Sequence, residues 1–145
     1  NDIIRRLYDV NTKYTLLIFY APDCGHCKKV LPKVKKVIDS LKTKRILSNH
    51  KVIDIKVYAV QTEFQIKEWK KFIVEYKIGD WINVCDIQYD PDGNPAASSN
   101  WRDQYDIYST PVIYLLDKEK KILAKRISYK QIAKILEREE KRNHE

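Results

Sequence analysis

The chain has 145 residues, 28 of them Lys or Arg and 20 Asp or Glu, for a net charge of +8. With 43% hydrophobic and 33% charged residues it has the composition of a globular domain, which excludes a disordered or fibrous chain. The longest apolar run, Leu16 to Pro22, is strand-sized and falls well short of the roughly 18 residues a membrane span needs. Residues Asn1 to Arg6 lack the apolar segment of a signal peptide. The chain opens on Asn and not Met, as expected of a processed protein or an excised domain.

In chain order, Thr15 to Tyr20 is a continuous apolar run ended by Ala21-Pro22-Asp23, the pattern of a strand buried on both faces. Val30, Val34, Val37, Ile38 and Leu41 then fall at helical spacing with lysines between them. Pro32 inside this helix is expected to kink it. Lys51 to Val60 alternates and reads as a second strand, and Gln65 to Tyr76 as an amphipathic helix closed by Gly79. Trp81 to Val84 is a short strand candidate, and Asp90 to Ser99 reads as a loop. Pro111 to Leu116 is a strand, Asp117 to Lys120 a turn, and Lys121 to Ile127 its hairpin partner. Ser128 with Gln131 three residues on forms a capping box before a helix carrying Ile132, Ile135 and Leu136. The charged tail from Glu137 to Glu145 is expected to fray. The order β-α-β-α-β-loop-β-β-α defines one α/β domain spanning residues 1–145.

The basic stretches, Lys28 to Arg45 and Lys118 to Arg142, read as solvated lysine-rich helix faces. No aromatic-basic stacking motif accompanies them, so nucleic acid is not an expected partner. Three cysteines make no disulfide framework: two are three positions apart and the third lies 58 residues further on.

Cys24-Gly25-His26-Cys27 follows the first strand and opens the long helix. Amide groups at a helix N-terminus stabilise a thiolate on the first cysteine. The second, one turn on, is placed to attack a mixed disulfide and release the substrate. Gly25 permits a tight turn, and His26 carries positive charge beside the thiolate. Zinc is the competing use of such a pair. It normally requires four ligands, and His50, Cys85 and His144 stand isolated in sequence, so no metal is expected. Cys85 reads as a buried, inert thiol. Trp101, Tyr105, Tyr108 and Tyr114 read as packing residues, with a substrate groove as the other reading.

The segment Phe19 to Lys28 resembles the active-site segment of the thioredoxin superfamily, and the Cys-Gly-His-Cys tetrad is the one typical of protein disulfide isomerase domains. Pro32, five residues after Cys27, matches the superfamily's helix proline, and Thr110-Pro111 matches its cis-proline. These two motifs, with Cys24 and Pro111 87 residues apart, extend the resemblance from about Leu7 to Leu136. The helix between active site and cis-proline resembles the insertion of the bacterial envelope branch, the cytochrome-maturation and TlpA-like proteins. Trp101 to Leu116 is similar to envelope domains of Bacteroidetes-type bacteria.

The resemblance implies a thioredoxin-like fold, with a central mixed sheet flanked by helices and an inserted helix. It implies a thiol-disulfide oxidoreductase with Cys24 as nucleophile and Cys27 as resolving thiol. Gly25, His26, Thr110 and Pro111 would meet the substrate. It further implies disulfide-bearing protein substrates, a membrane electron-transfer partner, no organic cofactor, a monomer, a periplasmic or envelope location, and a place as the C-terminal part of a longer protein that carries a lipid anchor. Two positions depart from the pattern. The buried acid that thioredoxins carry six residues before the first cysteine is Ile18 here. Glu63 stands where the envelope branch places a substitute proton acceptor, and equally where a charge caps the next helix. Asp23 replaces the usual aromatic residue, and its carboxylate opposes a thiolate at Cys24 unless it serves as the helix cap. The alternative to catalysis is a thioredoxin-like binding or scaffold module with unreactive cysteines.

Overall fold

The apolar residues at both parities of Tyr14 to Tyr20 allow that strand only one place, the middle of the sheet. In the computed structural model, which describes residues 6–63, 66–85, 87–89, 91–93, 95–97 and 109–143, β1 (Tyr14–Tyr20) is buried at all seven positions. β2 (Ile55–Gln61) pairs with it in parallel, Tyr14 opposite Ile55 and Tyr20 opposite Gln61, and β3 (Ile82–Cys85) extends the parallel side. A separate antiparallel hairpin joins β4 (Ile87–Tyr89) to β5 (Pro95–Ala97). β6 (Val112–Leu116) runs antiparallel on the other flank of β1, with β7 (Ile122–Ala124) beyond it, so the main sheet has the order β3-β2-β1-β6-β7.

Helix α1 (Gly25–Thr43) and helix α3 (Ile132–Arg142) pack on one face of the sheet. There Leu16, Ile18 and Tyr20 meet Leu31, Val34, Ile38 and Leu41 of α1 and Ile132 and Leu136 of α3. Leu17 and Phe19 point the other way, into a second cluster with Leu7, Tyr58, Val60 and Tyr114. Each fully buried aliphatic side chain of this kind contributes roughly 1.5–3 kcal/mol. Helix α2 (Ile66–Glu75) lies on the α1 face, where the Phe72 ring is tilted against that of Tyr20 with centroids 5.3 Å apart. This is the thioredoxin-like α/β architecture that the resemblance implies.

Several local expectations are corrected. The second strand starts at Ile55 and not Lys51, because the Ile53 amide donates to the Leu41 carbonyl and ties that segment to the end of α1. α2 is ended by Lys77 and not Gly79: Lys77 adopts φ 57° and the Ile78 amide reaches back to the Ile73 carbonyl. The segment read as a loop contains β5, and the turn before it holds Gly93 at φ 84°. The capping box on Ser128 and Gln131 forms, but it caps a 3-10 turn (Tyr129–Gln131) that leads into α3. The tail does not fray at Glu137: α3 continues to Arg142 because Glu140 is buried and accepts from Tyr14 Oη at 2.7 Å and Lys13 Nζ at 2.6 Å.

Candidate active site

Cys24 is placed by the end of β1 and the start of α1. It is the N-cap of α1, its Sγ accepting from the Cys27 amide at 3.1 Å, while its carbonyl accepts from the Lys28 amide at 3.1 Å. Across from it the Thr110–Pro111 peptide is cis, and the Thr110 carbonyl lies 3.5 Å from Cys24 Sγ. Cys24 is half-buried and Cys27 fully buried, and Cys24, Cys27 and Cys85 are all in the thiol form, outside any disulfide.

The two paired thiols are driven in opposite directions. Burial raises the Cys24 pKa, but hydrogen bonds with the Cys27 and Thr110 side chains and with the amides of Cys27 and His26 outweigh it and bring Cys24 below the ordinary thiol value. Cys27 is pushed up to about 12, first by its burial and then by its hydrogen bond to Cys24. A half-exposed thiol with a lowered pKa beside a buried thiol with a raised one is the arrangement for attack and resolution.

Helix α1 begins at Gly25, whose added Cβ would meet nothing within 4 Å, and its φ is not left-handed. The tight-turn role expected of Gly25 is therefore absent; the residue is ordinary first-turn helix. Asp23 is exposed and does not cap α1, since Cys24 does so itself, and Asp23 is not among the groups that shift Cys24. His26 is exposed and lines a cleft together with Pro111. Glu63 is exposed at the end of β2, and no hydrogen bond joins its carboxylate to Cys27. Tyr114 is buried in the second core edge-on to Phe19, with ring centroids 6.3 Å apart. Trp101, Tyr105, Tyr108 and His144 lie outside the described residues.

Sequence reasoning missed a polar row at the C-terminal ends of the parallel strands. Tyr20, Gln61 and Cys85 are register partners across β1, β2 and β3. Tyr20 Oη accepts from Trp69 Nε1 at 2.8 Å, and burial holds the phenol well above its ordinary pKa. Gln61 is buried; its Oε1 accepts from the Glu63 amide and lies 3.8 Å from Cys85 Sγ. Cys85 is thus half-exposed and hydrogen-bonded, not buried as expected. The available signal was a glutamine closing the buried run Val57-Tyr58-Ala59-Val60.

The fold and the paired thiols define a class: an α/β dithiol domain of the thiol-disulfide oxidoreductase type. The chain belongs to the thioredoxin-like domain family, whose model matches residues 5–138. It is similar to a domain of a possible thiol-disulfide isomerase from Cytophaga hutchinsonii, at 38% identity and TM-score 0.73, covering 95% of this chain and 82% of that one. The thioredoxin domain of a thiol-disulfide oxidoreductase from Bacteroides vulgatus matches at 28% identity and TM-score 0.68, covering 91% of this chain and 82% of that one. A thiol:disulfide interchange protein from Bacteroides sp. matches at 28% identity and TM-score 0.67, covering 91% and 76%. No curated protein matches the chain. Among the described residues no helix is long and apolar enough to cross a membrane.

Proposed function

We propose that this domain exchanges disulfides with protein substrates through Cys24 and Cys27 in the bacterial cell envelope. The observation that carries the reading is the opposed pair of thiols under the Thr110–Pro111 peptide, Cys24 half-exposed with a lowered pKa and Cys27 buried with a raised one.

In the reductive direction the Cys24 thiolate attacks one sulfur of a substrate disulfide, forming a mixed disulfide and expelling the other sulfur as a thiolate. Cys27 then gives up its proton and attacks Cys24 Sγ, releasing the second substrate thiolate. The substrate gains two electrons and the pair becomes a Cys24–Cys27 disulfide. Oxidation of a substrate dithiol is the same sequence reversed. Thr110 and Pro111 flank the nucleophile and would hold the substrate chain, and His26 faces it from the first turn of α1. The envelope location, a lipid anchor in the full-length protein and a membrane partner that re-reduces the pair belong to the proposal. They are supported by the resemblance to the envelope branch and by relatives from Bacteroides and Cytophaga.

The test is a glutathione titration of the pair, read by alkylation and mass. A reversible disulfide with a potential near about −270 mV makes the domain a reductase, and one at or above roughly −180 mV makes it an oxidant or isomerase. A pair that never forms a reversible disulfide overturns the reading and leaves a scaffold module in its place.

A further inference from the structure

Among the described residues two clefts flank the active-site turn, and their charges differ. One is bordered by Asp23, Glu68 and Glu75 together with Lys28 and Lys71, so its charges are mixed. The other, about 400 Å³, opens on the side of His26 and Pro111, and among the described residues no carboxylate lines it. Its floor is apolar, made by Val30, Pro111, Ile113 and Ile127, and its rim is cationic, made by Lys29, Lys33 and Lys130.

These lysines are available. Among the described residues none of the three makes an ion pair, whereas Lys35 on the same helix is held by Asp39 at 3.3 Å and Asp80 at 3.6 Å. Tyr129 stands between two of them, with Lys33 Nζ 5.3 Å and Lys130 Nζ 6.0 Å from its ring centroid. Three cations gathered around an apolar floor repel one another, and an anionic occupant relieves that repulsion. A concave cleft beside a nucleophile suits a single extended chain better than a flat bilayer.

We propose that this cleft selects the substrate: it takes an acidic segment of the disulfide-bearing polypeptide, flanking the cysteine that Cys24 attacks. Lys29, Lys33 and Lys130 meet the segment's carboxylates, while Tyr129 and Ile127 meet its apolar side chains. The inference rests on the redox reading of Cys24 and Cys27 given above and names the substrate class of that site.

The experiment measures second-order rate constants of the reduced protein with two peptides of equal length. Their single cysteine is flanked by Glu and Leu in one and by Lys and Leu in the other, and each is blocked as a mixed disulfide with 2-mercaptoethanol. The neutral bis(2-hydroxyethyl) disulfide serves as reference. Two or three partly exposed ion pairs predict that the acidic peptide reacts about tenfold faster than the basic one. That ratio should shrink as salt rises from about 0.05 to about 0.5 M. Lys33→Glu/Lys130→Glu should bring it to about one or below. Lys36→Glu/Lys134→Glu, an equal charge change at exposed positions outside the cleft, should preserve it.

Equal peptide rates in the wild type, with the neutral disulfide still reacting, overturn the substrate proposal alone. So does a ratio lost to the same extent in the Lys36/Lys134 variant, which would assign the preference to net charge. Equal peptide rates together with retention on phosphatidylglycerol vesicles that is lost in the Lys33/Lys130 variant would assign the cleft to a lipid surface and also overturn it. Failure of the neutral disulfide to react overturns the redox reading, and the proposal falls with it.

Discussion

Replacing Cys24 by Ser and by Ala separates two roles of its sulfur, the proposed one as nucleophile and the observed one as the N-cap of α1. Both variants lose the nucleophile, but Ser keeps an acceptor for the Cys27 amide that now bonds Sγ at 3.1 Å, while Ala leaves that donor without its cap. An N-cap of this kind stabilises by about 1 kcal/mol, which for a domain of this size is a Tm difference of about 3 °C. The loss does not unfold α1, which still buries Cys27, Leu31, Val34, Ile38 and Leu41. The pH dependence carries the charge. A group whose pKa is depressed on folding stabilises the fold above its unfolded value and loses that contribution as pH falls through its folded value. The stability of reduced wild type over Cys24→Ser should therefore rise with pH from the folded Cys24 value up to the ordinary 9.0, then level off. Cys27, raised to about 12, has the opposite sign, but its contribution is lost only as pH climbs from 9.0 toward that value, outside the window. Urea unfolding in a non-thiol reductant, from about pH 5 to about pH 8.5, reads both effects. An Ala variant as stable as Ser refutes the cap, and a wild-type advantage that is flat or falls with pH refutes the stabilised thiolate.

Glu63→Gln should change the rate of mixed-disulfide resolution by no more than about twofold, because the exposed carboxylate makes no bond to Cys27. A tenfold slowing in stopped-flow resolution would show that it does take the Cys27 proton. Glu140→Leu should cost about 2 kcal/mol in urea unfolding, since it leaves the buried Tyr14 hydroxyl without the acceptor for its proton. Adding Tyr14→Phe should recover part of that cost, and strictly additive losses would mean the two groups are not coupled.

The parts of the fold legible in the sequence are those where one physical rule acts alone. β1 is apolar at both parities because helices or loops cover both of its faces, and the Ser128 box announces its own hydrogen bonds. Illegible features depend on partners distant in sequence. Glu140 looks like a tail charge until Tyr14 and Lys13, more than a hundred residues earlier, are folded beneath it. Lys77 gives no composition signal that it, and not Gly79, takes the left-handed stop of α2. The same division runs through the site. Cys24, Cys27 and the Thr110–Pro111 pair are local motifs and were readable. The Tyr20–Gln61–Cys85 row exists only through strand register, and the cationic cleft only where α1 meets the turn before α3.

The contact between Cys24 Sγ and the Thr110 carbonyl closes a loop of 86 residues, and this orders events during synthesis. All three cysteines leave the ribosome before Thr110 does, so the thiols exist for a time with nothing to face them. In that interval Cys85 competes with Cys27 for Cys24, and of the three pairings available to three thiols two are wrong. Once β3 joins the sheet, Cys85 is fixed at the edge strand beside Gln61. Preparations of this domain should accordingly be kept reduced until the sheet has formed and oxidised only afterwards.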